Sequence, residues 1–374
     1  MNLVPVCEPF LDGNELKYVT DCVNTGWISS SGKYVKAFEE MFAEYCGVKY
    51  AVGVCNGTVA LHLALAALDI KHGDEVIIPD FTMIASAYAV CYTGAKPLFV
   101  DANPETWNID VSKIEEKITE RTKVIMPVSI FGQPCEMEKI WELALKHNLS
   151  VVEDAAESHG AEYKGKKTGN LADITAFSFF ANKNLTTGEG GMVVTDNKHL
   201  FNRSRYFKNL CFPLDAPRVY KHDDIGFNYR MSNIHAAIGL AQVEKADVYK
   251  QMRIRNAELY RNFLSEVPGI IMQKTSADVT SVFWMNAIVV NQIEYGKTRD
   301  ELIQFLGENK IETRLLFMGM HKQPSLINYG CDPGGDYKTT DWLSENGMYL
   351  PSATNLTEET IERICKLISG FSRA

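Results

Sequence analysis

The sequence predicts an α/β protein, with a large unit (1–245) built on a mostly parallel sheet and a smaller α/β unit (246–374) at its C-terminal end. Three observations carry this prediction. Short β-rich runs alternate with helical stretches from about 50 to 196. Those runs are apolar nearly throughout rather than alternating. The order of elements then changes after a long helical segment at 233–265. Strands covered by helices on both faces read in this way, and parallel neighbours need crossover connections.

In chain order the strand runs are YAVGVC (50–55), EVIIPD (75–80), PLFVD (97–101), VIMPVSI (124–130), SVVEDA (150–155), ITAFSFF (174–180) and GGMVVTD (190–196). Between the first two, GTVALHLALAALDIKHGD is apolar around most of its circumference, which predicts a buried helix ending near Gly73 with His62 packed inside. The stretch CEMEKIWELALKHN has a cleaner stripe, Met137, Ile140, Leu143 and Ala144, and belongs on the sheet surface. Residues 160–167 have Walker spacing, but Lys167 stands where a Mg²⁺-holding hydroxyl is needed, so the stretch reads as a surface hairpin. TGEGGMVV (187–194) lacks the third glycine and the helix of a dinucleotide fingerprint. The segment 197–232 reads as a solvated, irregular connection carrying Arg203, Arg205, Lys208, Arg218, Lys221 and Arg230. After the helix at 233–265 come GIIM, SVFWMNAIVV, TRDELIQFLGEN and IETRLLF, read as strand, strand, helix, strand. The last helix is capped by Thr357, with Glu358 and Glu359 in its first turn.

Composition narrows the function. The chain has 374 residues, 46 % of them hydrophobic, and a formal charge of −9, which excludes a disordered chain and argues against nucleic acid or an anionic membrane as partner. The opening MNLVPVCEPFLDGNEL lacks the basic and apolar regions of a secretory signal, and no window approaches a membrane span, so a cytoplasmic protein is expected. Nine scattered cysteines without CxxC support neither a disulfide framework nor a metal site.

The chemistry-bearing groups fall at strand ends, where open α/β sheets bind ligands. Asn56-Gly57-Thr58 opens the buried helix and offers free N–H groups, a hydroxyl and the helix dipole to a phosphate. Asp154 ends an apolar strand and is followed by Ala155, Ala156 and Glu157; a buried carboxylate there needs a cationic partner. Lys183 follows FSFF in a turn rich in Thr and Gly. Jointly these suit pyridoxal phosphate, which needs a lysine for its Schiff base and an acid to keep its ring nitrogen protonated.

The segments GWISSSGKYVKAFEEMFAEYCGVKYAV, CNGTVALHLAL, VEDAAESHG, FSFFANKNLTTGEGGMVVTD, IGFNYRMSNIHAAIGLAQ and MYLPS together resemble the sugar aminotransferases of the DegT/DnrJ/EryC1/StrS type, fold type I of the pyridoxal-phosphate enzymes. The resemblance implies that Lys183 carries the cofactor and shuttles the proton, Asp154 pairs with the pyridine nitrogen, and Glu157 lies near the ring hydroxyl. It also implies that Ala156 packs on one ring face, and that Gly57, Thr58 and Ser178 hold the phosphate. Asn228 would reach the phosphate of a neighbouring subunit, which implies a homodimer with shared active sites. The implied donor is L-glutamate, and the implied acceptor a nucleotide-linked 4-keto-6-deoxy sugar used in surface polysaccharide biosynthesis.

Three positions depart from the family pattern. Met83 stands where an aromatic residue usually covers the ring, Ala181 stands for a glycine, and TRLLFMGMHKQPS (313–325) keeps His321 but has Leu315 and Gly319 in place of prolines. Arg314, His321 and the basic residues at 203–221 are candidates for the acceptor's phosphate. The altered loop leaves open a small phosphorylated ketone, such as dihydroxyacetone phosphate, as acceptor. A non-catalytic, cofactor-binding regulator is a further alternative. The presence of Lys183 argues against the dehydratases of the family, which carry histidine there.

Overall fold

The computed structural model describes residues 2–217, 219–331 and 334–372. Arg218 lies outside the described residues. Seven strands form the larger sheet: β1 (Tyr50–Val54), β2 (Glu75–Pro79), β3 (Lys96–Val100), β4 (Thr122–Ile125), β5 (Ser150–Asp154) and, after the hairpin β6 (Glu162–Tyr163) and β7 (Lys166–Lys167), β8 (Ile174–Ser178) and β9 (Gly191–Thr195). Their order is β1-β9-β8-β5-β4-β2-β3. From β8 to β3 all neighbours are parallel, whereas β9 runs antiparallel to both β8 and β1. The reason is the connection, because β9 returns from β8 through a short loop with no crossover helix. Consequently β1, β5 and β8 all point the same way, and Val54, Asp154 and Ser178 come to one edge.

The helix Gly57–Ala67 buries Ala60, Leu61, Leu63, Ala64, Leu65 and Ala67, as its all-round apolar sequence requires. It stops at Ala67 rather than near Gly73, because the chain turns through Asp69 in a left-handed conformation (φ 63°). His62 is a core residue, with Nδ1 2.9 Å from the Tyr229 hydroxyl.

Two expectations fail between 197 and 265. Lys198–Lys208 is a helix rather than an irregular connection: the Asn197 side chain accepts from the His199 and Leu200 amides, and Leu200 and Ser204 are buried. Its Arg203 donates to the carbonyls of Ala66 and Ala67 in the last turn of the helix Gly57–Ala67. The segment 233–265 is two helices, Asn233–Val243 and Ala246–Leu264. At the break Glu244 accepts from Asn14 and Tyr18, and Lys245 pairs with Asp12, so both charges are used by the N-terminal segment.

A smaller antiparallel sheet follows. Its members are β10 (Ile270–Met272), β12 (Asn286–Val290), β13 (Arg314–Leu315) and β14 (Gly347–Leu350), ordered β10-β12-β14-β13. The strand between them in sequence, β11 (Val279–Thr280), instead extends the β6–β7 hairpin. The helix Glu358–Phe371 packs Ile361, Ile364 and Ile368 on this smaller sheet, and Thr357 caps it by accepting from the Thr360 amide. Residues 4–6 join this part of the molecule. Val4 pairs with Ile311, the Val6 amide donates to Glu312 Oε2 at 3.0 Å, and the Ser352 amide donates to the Val6 carbonyl. All nine cysteines are free thiols. No helix of the described residues is long and apolar enough to cross a membrane.

Candidate active site

A cavity of about 760 Å³ opens at the ends of β1, β5 and β8 and is closed from the other side by residues of the smaller sheet and its loops. Its phosphate-sized end is made by the start of the helix Gly57–Ala67. The Asn56 side chain accepts from the Val59 amide at 3.0 Å, and the Ala60 amide reaches the Asn56 carbonyl. The amides of Gly57 and Thr58, first-turn donors, are thereby left for a ligand. Gly57 is required by packing, since a Cβ there would lie 2.5 Å from the Ser178 Cβ. The same close approach brings the Ser178 hydroxyl beside the helix start.

Asp154 ends β5 and is 4 % exposed. Its Oδ2 accepts from the Ser86 hydroxyl at 2.7 Å and its Oδ1 from the Ala156 amide at 3.1 Å. Burial raises its pKa, while these bonds and the charge of Lys183 pull it back. Lys183, after β8, is positioned by its amide bond to the Phe180 carbonyl, and its side chain is 11 % exposed. Its Nζ stands 3.8 Å from Glu157 Oε1 and 3.7 Å from the centre of the Trp284 ring. Burial lowers the lysine's pKa, opposed by Glu157 and Asp154. Glu157 is pushed up to about 7 by burial, against the pull of Lys183, and its Oε2 accepts from the Phe131 amide at 2.8 Å.

Ala156, Met83 and Arg314 also line the cavity. Met83 is 47 % exposed, and its Sδ accepts from the Ala85 amide. Arg314 on β13 is exposed and pairs with Glu312 at 3.2 Å, so its guanidinium keeps donors free for a ligand.

His321 does not line the cavity, contrary to the expectation that it meets the acceptor. Its Nδ1 lies 2.6 Å from Asp80 Oδ2, its amide donates to Asp80 Oδ1 at 2.8 Å, and its ring stacks on Tyr337. Asp80 is fully buried, and a buried carboxylate unpaired costs several kcal/mol, roughly, so the imidazole is committed to it. Asn228 also lies outside this chain's cavity; it is exposed and accepts from Arg230 Nε. Arg205 pairs with Asp215, Lys208 with Glu39 and Lys221 with Asp223, so none of these reaches the cavity of its own chain.

Sequence reasoning missed Ser86, Trp284, Tyr349 and Asn182, all of which line the cavity. Ser86 sits three residues beyond Met83, within the same turn, and only its bond to Asp154 distinguishes it. Trp284 lies in a run that reads simply as strand, and Tyr349 lies in MYLPS, which carries the family resemblance without marking the tyrosine. The Asn182 Oδ1 and the Tyr349 hydroxyl are buried without a hydrogen-bond partner among the described residues. Orphaned polar atoms in a cavity that also holds free helix amides, a carboxylate and a lysine fit a polar, phosphorylated guest.

Comparison with known proteins decides the family. Residues 9–369 match the DegT/DnrJ/EryC1/StrS aminotransferase family. The chain belongs to that family, and it is an aminotransferase. It is 46 % identical over 371 residues to the GDP-perosamine synthase of Escherichia coli O157:H7, covering 99 % of each chain. It is also 46 % identical to the GDP-perosamine synthase of Caulobacter vibrioides, covering 96 % of each. Among solved structures, DesI in the presence of its TDP-sugar product superposes with a TM-score of 0.91 at 29 % identity, covering 99 % of this chain and 93 % of that one.

Proposed function

We propose that this aminotransferase uses pyridoxal phosphate to move an amino group from L-glutamate to the ketone of a nucleotide-linked 4-keto-6-deoxy sugar, with a GDP-linked sugar as the first candidate. The observation that carries the reading is the convergence of Lys183, Asp154 and the Gly57–Ser178 cradle on one cavity. The high identity to GDP-perosamine synthases supports the choice of acceptor.

Pyridoxal phosphate, when bound, supplies an electron-accepting ring that stabilises negative charge at the substrate carbon. The Gly57 and Thr58 amides and the Ser178 hydroxyl would hold its phosphate, and Asp154 would face its ring nitrogen. Ala156 and Met83 would cover the ring, and Glu157 would lie at the ring hydroxyl. Lys183 takes up and returns the proton at Nζ, and its lowered pKa leaves more of the amine able to accept one. The Ser86 hydroxyl and the Ala156 amide fix the Asp154 carboxylate, so no reorganisation is needed when charge develops opposite it. Phe317 and Tyr349 exclude water from the same space, and Arg314 offers a fixed cation to the acceptor's phosphate.

The homodimer with shared sites belongs to this proposal. Asn228 and Arg230 lie on the surface beside a second cavity lined by Ser30, Ser31 and Lys208, and Trp27 and Ile28 are half exposed close by. Such a face suits a second copy of the chain, to whose site Asn228 would contribute.

The test is turnover of GDP-4-keto-6-deoxymannose beside dihydroxyacetone phosphate, with L-glutamate as donor and the amine product identified by mass. Amination of the nucleotide sugar is the expected result. Turnover of the triose phosphate alone would overturn the proposed acceptor.

A further inference from the structure

Lys183 touches one side chain that the steps above leave without a task. Trp284 presents its indole face to Nζ at 3.7 Å, the distance of a cation–π contact. The residue is held at three points, one on the indole and two on its backbone. Its Nε1–H donates to the carbonyl of Asn182, the residue before Lys183, at 2.8 Å. Its amide donates to the Phe131 carbonyl at 2.9 Å, and its carbonyl accepts from the buried Arg253 guanidinium at 3.1 Å.

The backbone that permits this is strained. Phe283 (φ 45°) and Phe131 (φ 55°) both occupy the left-handed region, a costly conformation for a bulky residue. The Phe131 amide is also the donor to Glu157 Oε2. Two strained residues therefore place an aromatic face and a carboxylate against the same amine. The two partners differ in kind: a carboxylate can take the proton from Lys183, whereas an aromatic face attracts the ammonium without offering an atom that accepts its proton.

Building on the aminotransferase reading, we propose that Trp284 is a further catalytic residue, whose indole face holds the Lys183 ammonium whenever that side chain is free of the cofactor. The contact has no fixed hydrogen-bond direction, so Nζ can leave it and return without breaking a directional bond. The proton is kept on the lysine between its uptake and its delivery.

The test uses the full chain loaded with pyridoxamine phosphate, in which Lys183 is unlinked. The pH dependence of Lys183 acetylation by acetic anhydride, followed by the mass of the Lys183 peptide, gives the midpoint of its titration. The other groups that act on this amine, Glu157, Asp154 and Cys7, and His159, which feels its charge, are the same in every variant. Trp284→Leu should lower the midpoint by about 0.5–1 unit, which is roughly three- to tenfold faster modification below both midpoints. Trp284→Phe should restore most of the shift. Because Trp284→Leu removes a large core side chain and can unfold the protein, the same titration is run with fluorinated tryptophans, which keep the ring's shape and weaken its negative face. The midpoint should then fall stepwise with fluorine number. An unchanged midpoint across the fluorinated series, or equal midpoints in wild type and the leucine variant, overturns the proposal. Binding of pyridoxamine phosphate by the wild type is measured first and tests the functional reading alone. If the wild type does not bind it, the same titration on the chain without it still decides the role of Trp284.

Discussion

The two walls of the cavity are built by opposite means. The wall at the ends of β1, β5 and β8 is polar and buried, and it comes from three short stretches, 56–58, 154–157 and 178–183. The facing wall draws Met83, Trp284, Arg314, Phe317 and Tyr349 from segments far apart in sequence, and parts of it are open, with Met83 47 % and Leu315 54 % exposed. The first wall must put a few atoms at fixed positions, and hydrogen bonds and one obligatory glycine do this. The second supplies shape and charge, which many side chains can provide. The groups proposed for proton transfer and cofactor binding thus gather mainly in the first wall, joined from the second by Trp284 and Met83, and those proposed to fit the acceptor lie in the second.

That contrast makes ordered predictions. Lys183→Ala should lower turnover by about 10⁴-fold or more while the chain stays folded, measured by coupled assay and circular dichroism. A variant that kept most of its turnover would remove Lys183 from the reaction. Asp154→Asn, which keeps the shape and removes the charge, should cost on the order of 10²–10³-fold in kcat. Gly57→Ala forces a methyl against Ser178, and overpacking of about 1–3 kcal/mol should weaken cofactor binding roughly ten- to hundredfold in equilibrium dialysis. Arg314→Ala, on the open wall, should raise KM for the acceptor by about tenfold and leave the glutamate half-reaction unchanged. A loss as large as that of Asp154→Asn would abolish the distinction between the walls.

The smallest effect is on stability. His159 lies behind the polar wall, stacked on Phe177, with neither ring nitrogen hydrogen-bonded among the described residues. Burial lowers its pKa from 6.5 to about 3. The unfolded chain therefore binds a proton that the folded one refuses, so its contribution is complete above pH 6.5 and stability is lost as pH falls from there toward about 3. His159→Phe should flatten that acid limb in urea titrations at pH 5 and 7 and leave kcat near that of the wild type.

Much of the polar wall was legible in the sequence because Gly57, Asp154 and Lys183 sit at strand ends in compact motifs, whereas Ser178 and Glu157 were named only through the family resemblance. Of the open wall only Met83 and Arg314 were named as site residues from the sequence. Trp284 looks like an ordinary strand residue and nothing in MYLPS singles out Tyr349, and only the closing of the smaller sheet onto the larger brings them to the cavity. His321 misled because a histidine near a candidate cleft reads as a ligand, while its partner, Asp80, lies 241 residues away. Fold errors have the same source. The helix Lys198–Lys208 was missed because its buried face is only Leu200 and Ser204, too narrow to give a helical period. The break at 244–245 depends on Asp12, Asn14 and Tyr18, which no local pattern could supply.

The pairing of residues 4–6 with the smaller sheet bears on how the protein is made. Val6, which lines the cavity, donates its amide to Glu312, a partner 306 residues later in the chain. At about 5–20 residues per second, the ribosome delivers that partner roughly 15–60 s after Val6. During that interval residues 4–6 lack these partners, and the cavity lacks part of its wall. The cavity therefore closes only after the smaller sheet has been synthesised.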